Sequence, residues 1–326
     1  MRQPLIPLPM KFPKIKILTS LCLVLFVASI VYGEARFEDE GSLFMTPWVE
    51  TREKVFKNGQ TVTAFNTRGN VNSQNPDSPW YEASFFGQGT IVSDSDGKQI
   101  AKVTLCEMID SDGDITWGVL WEPTGQSATY QIKAGTGKWN NIVGRGEFKE
   151  LETVRADGFV SSDWEITWSF SDGKPRDVEA DKKNYRYHDQ GLSFHGPHIK
   201  ESERILANGV KLVISNQSGV LLSEDSEAKS PRNFATCFDR GTTVGNKERN
   251  ALGDVMLLED TDPDGDMVWL YHEWWYGKGP GSYEFIGGTG KWTGITGFGV
   301  TRGMLRGRVD DHYMLKSEMH WNLPVD

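Results

Sequence analysis

The chain repeats itself, and no other feature constrains its fold as much. Tyr130–Gly146 reads YQIKAGTGKWNNIVGRG and Tyr283–Gly299 reads YEFIGGTGKWTGITGFG. The tryptophans of the two GTGKW motifs, Trp139 and Trp292, are offset by 153 residues. Upstream, Asp110–Asp114 (DSDGD) and Asp262–Asp266 (DPDGD) recur at an offset of 152. Downstream, Glu165-x-x-Trp168 and Glu318-x-x-Trp321 recur at 153. Three blocks in one order at near-constant spacing identify a tandem duplication of one domain.

Residues 1–33 stand apart from both copies. They hold Arg2, Lys11, Lys14 and Lys16 with no acid, then an apolar run, Ile17–Tyr32, ending in Gly33. A basic start, a short apolar stretch and a small exit residue predict a secretory signal peptide. The run is shorter than the roughly 20 residues of a stable span, so no membrane span is expected after cleavage and the protein is expected to be secreted or periplasmic. The whole chain carries a net charge of −10, and losing a basic leader makes the remainder more acidic. That charge argues against a nucleic-acid partner. Cys106 and Cys237 do not correspond between the copies, which rules out one disulfide per copy. They are either two buried thiols or a single bond between the copies.

The periodicity is that of strands. Asn58-Gly59, Asp96-Gly97, Asp112-Gly113, Asn208-Gly209 and Asp264-Gly265 are hairpin turn dipeptides, in which Asn, Asp and Gly tolerate positive φ. Between them lie segments rich in Val, Ile, Thr and aromatics. Val103, Leu105 and Glu107 share one strand face; Trp164, Ile166, Trp168 and Phe170 also alternate. No window carries a sustained 3.6-residue apolar period with caps. Glycines clustered in strand-like sequence (Gly144 and Gly146; Gly294, Gly297 and Gly299) suit a sheet bent far enough to close. The expectation is an all-β chain of two antiparallel barrels, at Gly41–Ser171 and His195–Asp326. Asp172–Phe194 reads as a charged linker or an ordered strap between the barrels.

A hairpin strand ending in G-T-G-K-W and followed by x-x-I-x-G-x-G resembles the signature of the allene oxide cyclase/dirigent-like β-barrel superfamily. The D-x-D-G-D turn upstream is similar to that of bacterial members. The resemblance implies a calycin-like barrel of about eight strands in each copy, in an exported protein of the bacterial type. Plant members of that superfamily cyclise an unsaturated fatty-acid epoxide or guide phenoxy-radical coupling. Their catalytic constellation has no residue-by-residue match on this chain, so no catalytic residue is carried over.

Several groups are candidates for chemistry. Asp260, Asp262, Asp264 and Asp266 (DTDPDGD) open like a calcium loop, with oxygens at alternate positions and Gly265 at the bend. Position 12 is Tyr271 rather than a bidentate acid, so the competing reading is a hairpin turn solvated by its acids. No other cofactor is expected. Glu107 and Glu259 occupy equivalent positions, each in phase with an apolar face, where burial would raise the pKa of a general acid or base. The competing reading is an acid that hydrogen-bonds to backbone or escapes to solvent at the strand end. Lys138 and Lys291 read as solvated turn charges. The six histidines all fall in the linker or second copy. His195-x-x-His198 reads as a loop pair with no Cys, Asp or Glu at a metal-ligand spacing. His272 and Glu273 beside Trp274 and Trp275, together with Trp121, suggest either a ligand pocket or a packing surface.

No G-x-S-x-G elbow, P-loop, dinucleotide fingerprint or paired CxxC is present. The reading that follows is an exported binding module holding a small apolar or aromatic ligand in or between two barrels. The alternatives are a cyclase or isomerase of the allene oxide cyclase type and a non-catalytic protein with filled barrels. Oligomeric state is not legible.

Overall fold

The computed structural model describes residues 36–47, 49–56, 58–148, 152–153, 160–172, 181–224, 230–246, 248, 251–306 and 312–324. The signal-peptide reading of residues 1–33 lies outside them. Residues 37–326 form one compact unit built from two closed, eight-stranded antiparallel barrels, each carrying one extra strand, with a further two-residue strand on the first.

The first barrel comprises β1 (Phe37–Met45), β2 (Val49–Val55), β3 (Thr61–Ser73), β4 (Ala83–Ser93), β5 (Gln99–Ile109), β6 (Ile115–Pro123), β7 (Ala128–Gly135), β8 (Ile142–Phe148), the two-residue β9 (Glu152–Thr153) and β10 (Val160–Phe170). The second comprises β11 (Tyr187–His195), β12 (Ile199–Ile205), β13 (Lys211–Ser223), β14 (Thr236–Gly245), β15 (Ala251–Thr261), β16 (Met267–Trp275), β17 (Ser282–Gly288), β18 (Thr296–Arg306) and β19 (Tyr313–Asn322). Pairing of β1 with both β10 and β3 closes the first barrel, and pairing of β11 with both β19 and β13 closes the second. The polar strands β2 and β12 pair outside the rings. The glycines of all five turn dipeptides have φ between 78° and 95°, as the turn chemistry requires.

One boundary moves. The second barrel begins at Tyr187, inside the segment read as a linker, because β11 supplies the strand that closes the ring. Its sequence, YHDQGLSFH, hides this because the buried face, Asp189, Gly191, Ser193 and His195, is polar or small while Phe194 is exposed.

The repeated motifs form one device at the same end of each barrel. In the first copy Asp110 Oδ1 accepts the backbone N–H groups of Asp112 and Asp114, both at 2.9 Å. Its Oδ2 takes the Trp139 indole N–H at 2.8 Å and lies 3.0 Å from Lys138 Nζ. In the second copy Asp262 Oδ1 accepts from Asp264, Gly265 and Asp266, while Oδ2 takes the Trp292 indole at 2.9 Å and lies 2.8 Å from Lys291 Nζ. Thr136 and Thr289 accept the backbone N–H that follows each acidic turn. The middle glycine of GTGKW has φ +53° in both copies, and a Cβ there would collide with the carboxylate of Asp114 or Asp266. The motif that reveals the duplication is therefore a clasp that locks the acidic hairpin to the turn after β7 or β17.

The barrels meet through equivalent faces. Val103, Leu105, Trp117 and Val119 pack with Val255, Leu257, Trp269 and Tyr271 in one buried cluster. Trp117 lies 5.8 Å from Trp275, and Trp121 lies 5.4 Å from Trp269. Strand alternation assigns the roles: odd residues of β5 and β15 face the other barrel, and even ones, Cys106, Met108, Met256 and Leu258, face their own barrel's interior.

Candidate functional site

The interiors of the two copies have diverged. Strand register pairs Met45 with His195, Phe85 with Cys237, Gly87 with Asp239, Leu120 with His272 and Trp164 with Ser317. Trp80 and Arg232 match through the serine two residues before each, whose hydroxyl caps their backbone N–H. The first barrel is filled: Trp80 packs edge-on against Tyr130 and Trp164 at 5.4 and 4.6 Å. In the second, smaller or polar groups leave a chamber of about 370 Å³ lined by His195, Asp239, His272, Trp274, Tyr283 and Tyr313, among others. That volume suits a small organic molecule. The chamber uses the start of β15 and the end of β16, so it lies at the end of the barrel opposite the Asp262 clasp.

Its polar wall is set by the sheet. His195, Gly219 and Cys237 lie abreast on β11, β13 and β14. Gly219 places no side chain between its neighbours; a Cβ there would sit 2.9 Å from Cys237 Sγ and 2.3 Å from the Phe194 carbonyl oxygen. Asp239 is two residues beyond Cys237 and shares its face. His195 Nδ1 is 3.1 Å from Asp239 Oδ2 and 3.8 Å from Cys237 Sγ. Gln217 Nε2 donates to Asp239 Oδ2 at 2.9 Å, and the Tyr313 hydroxyl donates to Gln217 Oε1 at 2.6 Å. The Tyr313 ring stacks on His195 at 4.8 Å and on His198 at 5.9 Å.

Burial controls the charge states. Asp239 is fully enclosed, which favours its neutral form, but the hydrogen bond and charge of His195 with the Gln217 amide outweigh this and hold its pKa below the usual range. Burial lowers the pKa of His272 to about 4, so it is neutral at pH 7. Its ring lies 4.6 Å from Tyr283, and among the described residues neither of its nitrogens has a hydrogen-bond partner. Burial raises Asp260 to about 7 despite Arg232, whose Nε is 3.4 Å away. Burial also keeps the Cys237 thiol protonated. Cys106 and Cys237 are both free.

The structure divides the residues singled out in the sequence. His272 and Trp274 line the chamber. Glu273, Trp275 and Trp121 belong to the opposite face: Trp121 and Trp275 pack between the barrels, and Glu273 accepts from Tyr271 and Trp275. Glu107 and Glu259 also lie between the barrels, where Glu107 pairs with Arg204 and Thr242 and Glu259 with Arg240 and Thr90. Asp260 points into the barrel onto Arg232, whereas Asp262, Asp264 and Asp266 hold Lys291 or its backbone N–H. His195 closes β11 rather than occupying a loop.

No protein-family model matches this chain. No curated protein matches it either. The functional reading therefore rests on the site itself.

The residues missed by sequence reasoning are Cys237, Asp239, Arg232 and Tyr313. The signal was the comparison of the two copies: Cys237-x-Asp239 stands where the first copy has Phe85-x-Gly87. Those positions share no visible motif, so only strand register aligns them.

Proposed function

We propose that the second barrel is a binding chamber for a small, mainly apolar ligand that carries a ring and at least one hydrogen-bonding group. The first barrel is its packed scaffold. The observation that carries this reading is the divergence of the interiors. A space occupied by Trp80, Phe85, Leu120 and Trp164 in one copy is, in the other, a chamber bounded by stacked rings and by polar atoms without a partner among the described residues. Aromatic walls supply most of the affinity for such a ligand, and a few placed polar groups orient it. Export of the protein through residues 1–33 belongs to the same proposal and is checked by N-terminal sequencing of the protein recovered outside the cytoplasm.

The test is a binding screen of fatty acids and phenolics by native mass spectrometry and tryptophan fluorescence. Leu315→Trp places an indole in the chamber and is expected to abolish binding with the fold retained. A ligand that still binds this variant, or a wild-type protein that binds neither class, overturns the reading.

A second reading, a cyclase or isomerase of the allene oxide cyclase type, draws on the contact between His195 and Asp239. An imidazole held by a carboxylate is the arrangement of a general acid or base, and His195 Nε2 is buried without a partner among the described residues. Turnover of an unsaturated epoxide that is lost in His195→Gln and retained in Glu107→Gln and Glu259→Gln would favour it.

A further inference from the structure

We propose that His195, Cys237 and Asp239 form a mononuclear Zn²⁺ site whose fourth position opens into the chamber. Ligand atoms of the three residues lie within 4.8 Å of one another, and among the described residues no other histidine, cysteine or acid cluster meets this condition. A tetrahedral zinc ion with bonds of about 2.0–2.3 Å sets its ligand atoms about 3.3–3.7 Å apart. The separations of 3.8 Å between Cys237 Sγ and His195 Nδ1, and 3.1 Å between Nδ1 and Asp239 Oδ2, bracket that range. One nitrogen, one sulfur and one carboxylate oxygen are a borderline donor set that zinc accepts and that calcium and magnesium do not. Three protein ligands with one open position is the pattern of a catalytic rather than a structural zinc site.

Three further features support the assignment. First, the ligands changed together: the equivalent positions in the filled barrel are Met45, Phe85 and Gly87, two of which carry no donor atom. Second, the outer shell is built. Gln217 donates to Asp239 Oδ2 and is itself held by Tyr313, which orients the carboxylate, while Oδ1 has no hydrogen-bond partner among the described residues. Partners of this kind fix first-shell ligands. Third, the charges balance. Binding expels one proton from the Cys237 thiol, and His195 offers Nδ1 to the ion. The thiolate and the Asp239 carboxylate then neutralise the dication, which limits the cost of burying it. The open position would polarise a carbonyl or hydroxyl oxygen of a molecule in the chamber.

The experiment strips the purified full chain with EDTA and titrates it with Co²⁺, followed by Zn²⁺. One Co²⁺ per chain is expected, with a thiolate-to-cobalt charge-transfer band in the near ultraviolet that stoichiometric Zn²⁺ removes. Cys237→Ser should lose the band. The Cys22→Ser/Cys106→Ser double variant should keep it, and it assigns the thiolate even if Cys237→Ser fails to fold. Gln217→Ala should bind about 10–100-fold more weakly. Binding without a thiolate band, a band that survives Cys237→Ser or disappears in the double variant, or no stoichiometric binding overturns the site. These readouts do not depend on any organic ligand, so they stand or fall separately from the chamber screen.

Discussion

Glu107 of the first barrel accepts a hydrogen bond from Thr242 of the second, and the mirror pair exists: Glu259 of the second accepts from Thr90 of the first. Because Glu107 and Thr90 are the register equivalents of Glu259 and Thr242, the duplicated domain binds its own copy through one self-complementary face, as in a two-fold dimer. The counter-ions break the symmetry. Glu107 is met by Arg204 and Glu259 by Arg240, which stands where the first copy has Gln88.

That asymmetry predicts unequal costs. Glu259→Gln leaves the Arg240 guanidinium buried without an anion and is expected to destabilise the protein by about 3 kcal/mol. Glu107→Gln should cost about 1 kcal/mol, because Arg204 is partly exposed and can be rehydrated. Urea unfolding midpoints check the ranking. Equal costs for the two substitutions would contradict it.

The clasp predicts indifference to calcium. Lys291 Nζ lies 2.8 Å from Asp262 and 2.5 Å from Asp264, occupying the charge that a cation would seek. Adding Ca²⁺ to EDTA-treated protein should leave Tm unchanged. Asp262→Ala strands three backbone N–H groups and the Trp292 indole and should cost about 2–4 kcal/mol. A Tm that rises with Ca²⁺ would show that Lys291 yields the site.

His272 predicts a pH dependence located in the chamber. Burial lowers its folded pKa to about 4, against roughly 6.5 in an unfolded chain. As pH falls through that window, the unfolded chain binds a proton that the folded one refuses, so stability declines. His272→Leu installs the residue of the first barrel, Leu120, and removes this contribution. The variant should gain on wild type progressively between pH 6.5 and 4, by up to about 3 kcal/mol. Unfolding midpoints in EDTA at pH 7, 5.5 and 4 measure the difference; a gap independent of pH would place the histidine in water.

Glu318 predicts acid lability of the opposite origin. Burial raises its pKa, but hydrogen bonds from Lys182, His320 and Arg302 outweigh this and bring it down to about 2. A depressed carboxylate stabilises fully above its unfolded pKa of roughly 4.3 and loses that contribution as pH falls toward 2. Glu318→Gln should flatten the pH 4–2 limb of acid unfolding followed by circular dichroism. An unchanged limb would assign acid unfolding to other carboxylates, the clasp residues Asp110 and Asp262 foremost.

Duplication, strand period and turn chemistry are local properties, so they were legible: GTGKW, DxDGD and the five Asn-Gly and Asp-Gly dipeptides predict paired barrels from residues near one another in the chain. The sequence grouped His272, Glu273, Trp274 and Trp275 as one candidate pocket, and the structure keeps only His272 and Trp274 in the chamber. Alternation could not say which face was which, because Glu107 and Glu259 are buried between the barrels and Trp121 and Trp275 pack against the same seam. A second barrel covers that outer surface, and a strand buried on both faces shows no contrast between inside and outside. β11 was lost for a related reason, since closure of the ring, not its own composition, makes it a strand.

The sequence by itself determined that this protein is two copies of one all-β domain, because repeats and hairpins are written in contiguous residues. The tertiary structure alone decided that the first copy is filled and the second hollow. It alone brought His195 to Cys237 and Asp239, 42 residues apart in the chain at their closest. A closed sheet sets distant strands side by side, and that proximity depends on register across three strands rather than on spacing along one.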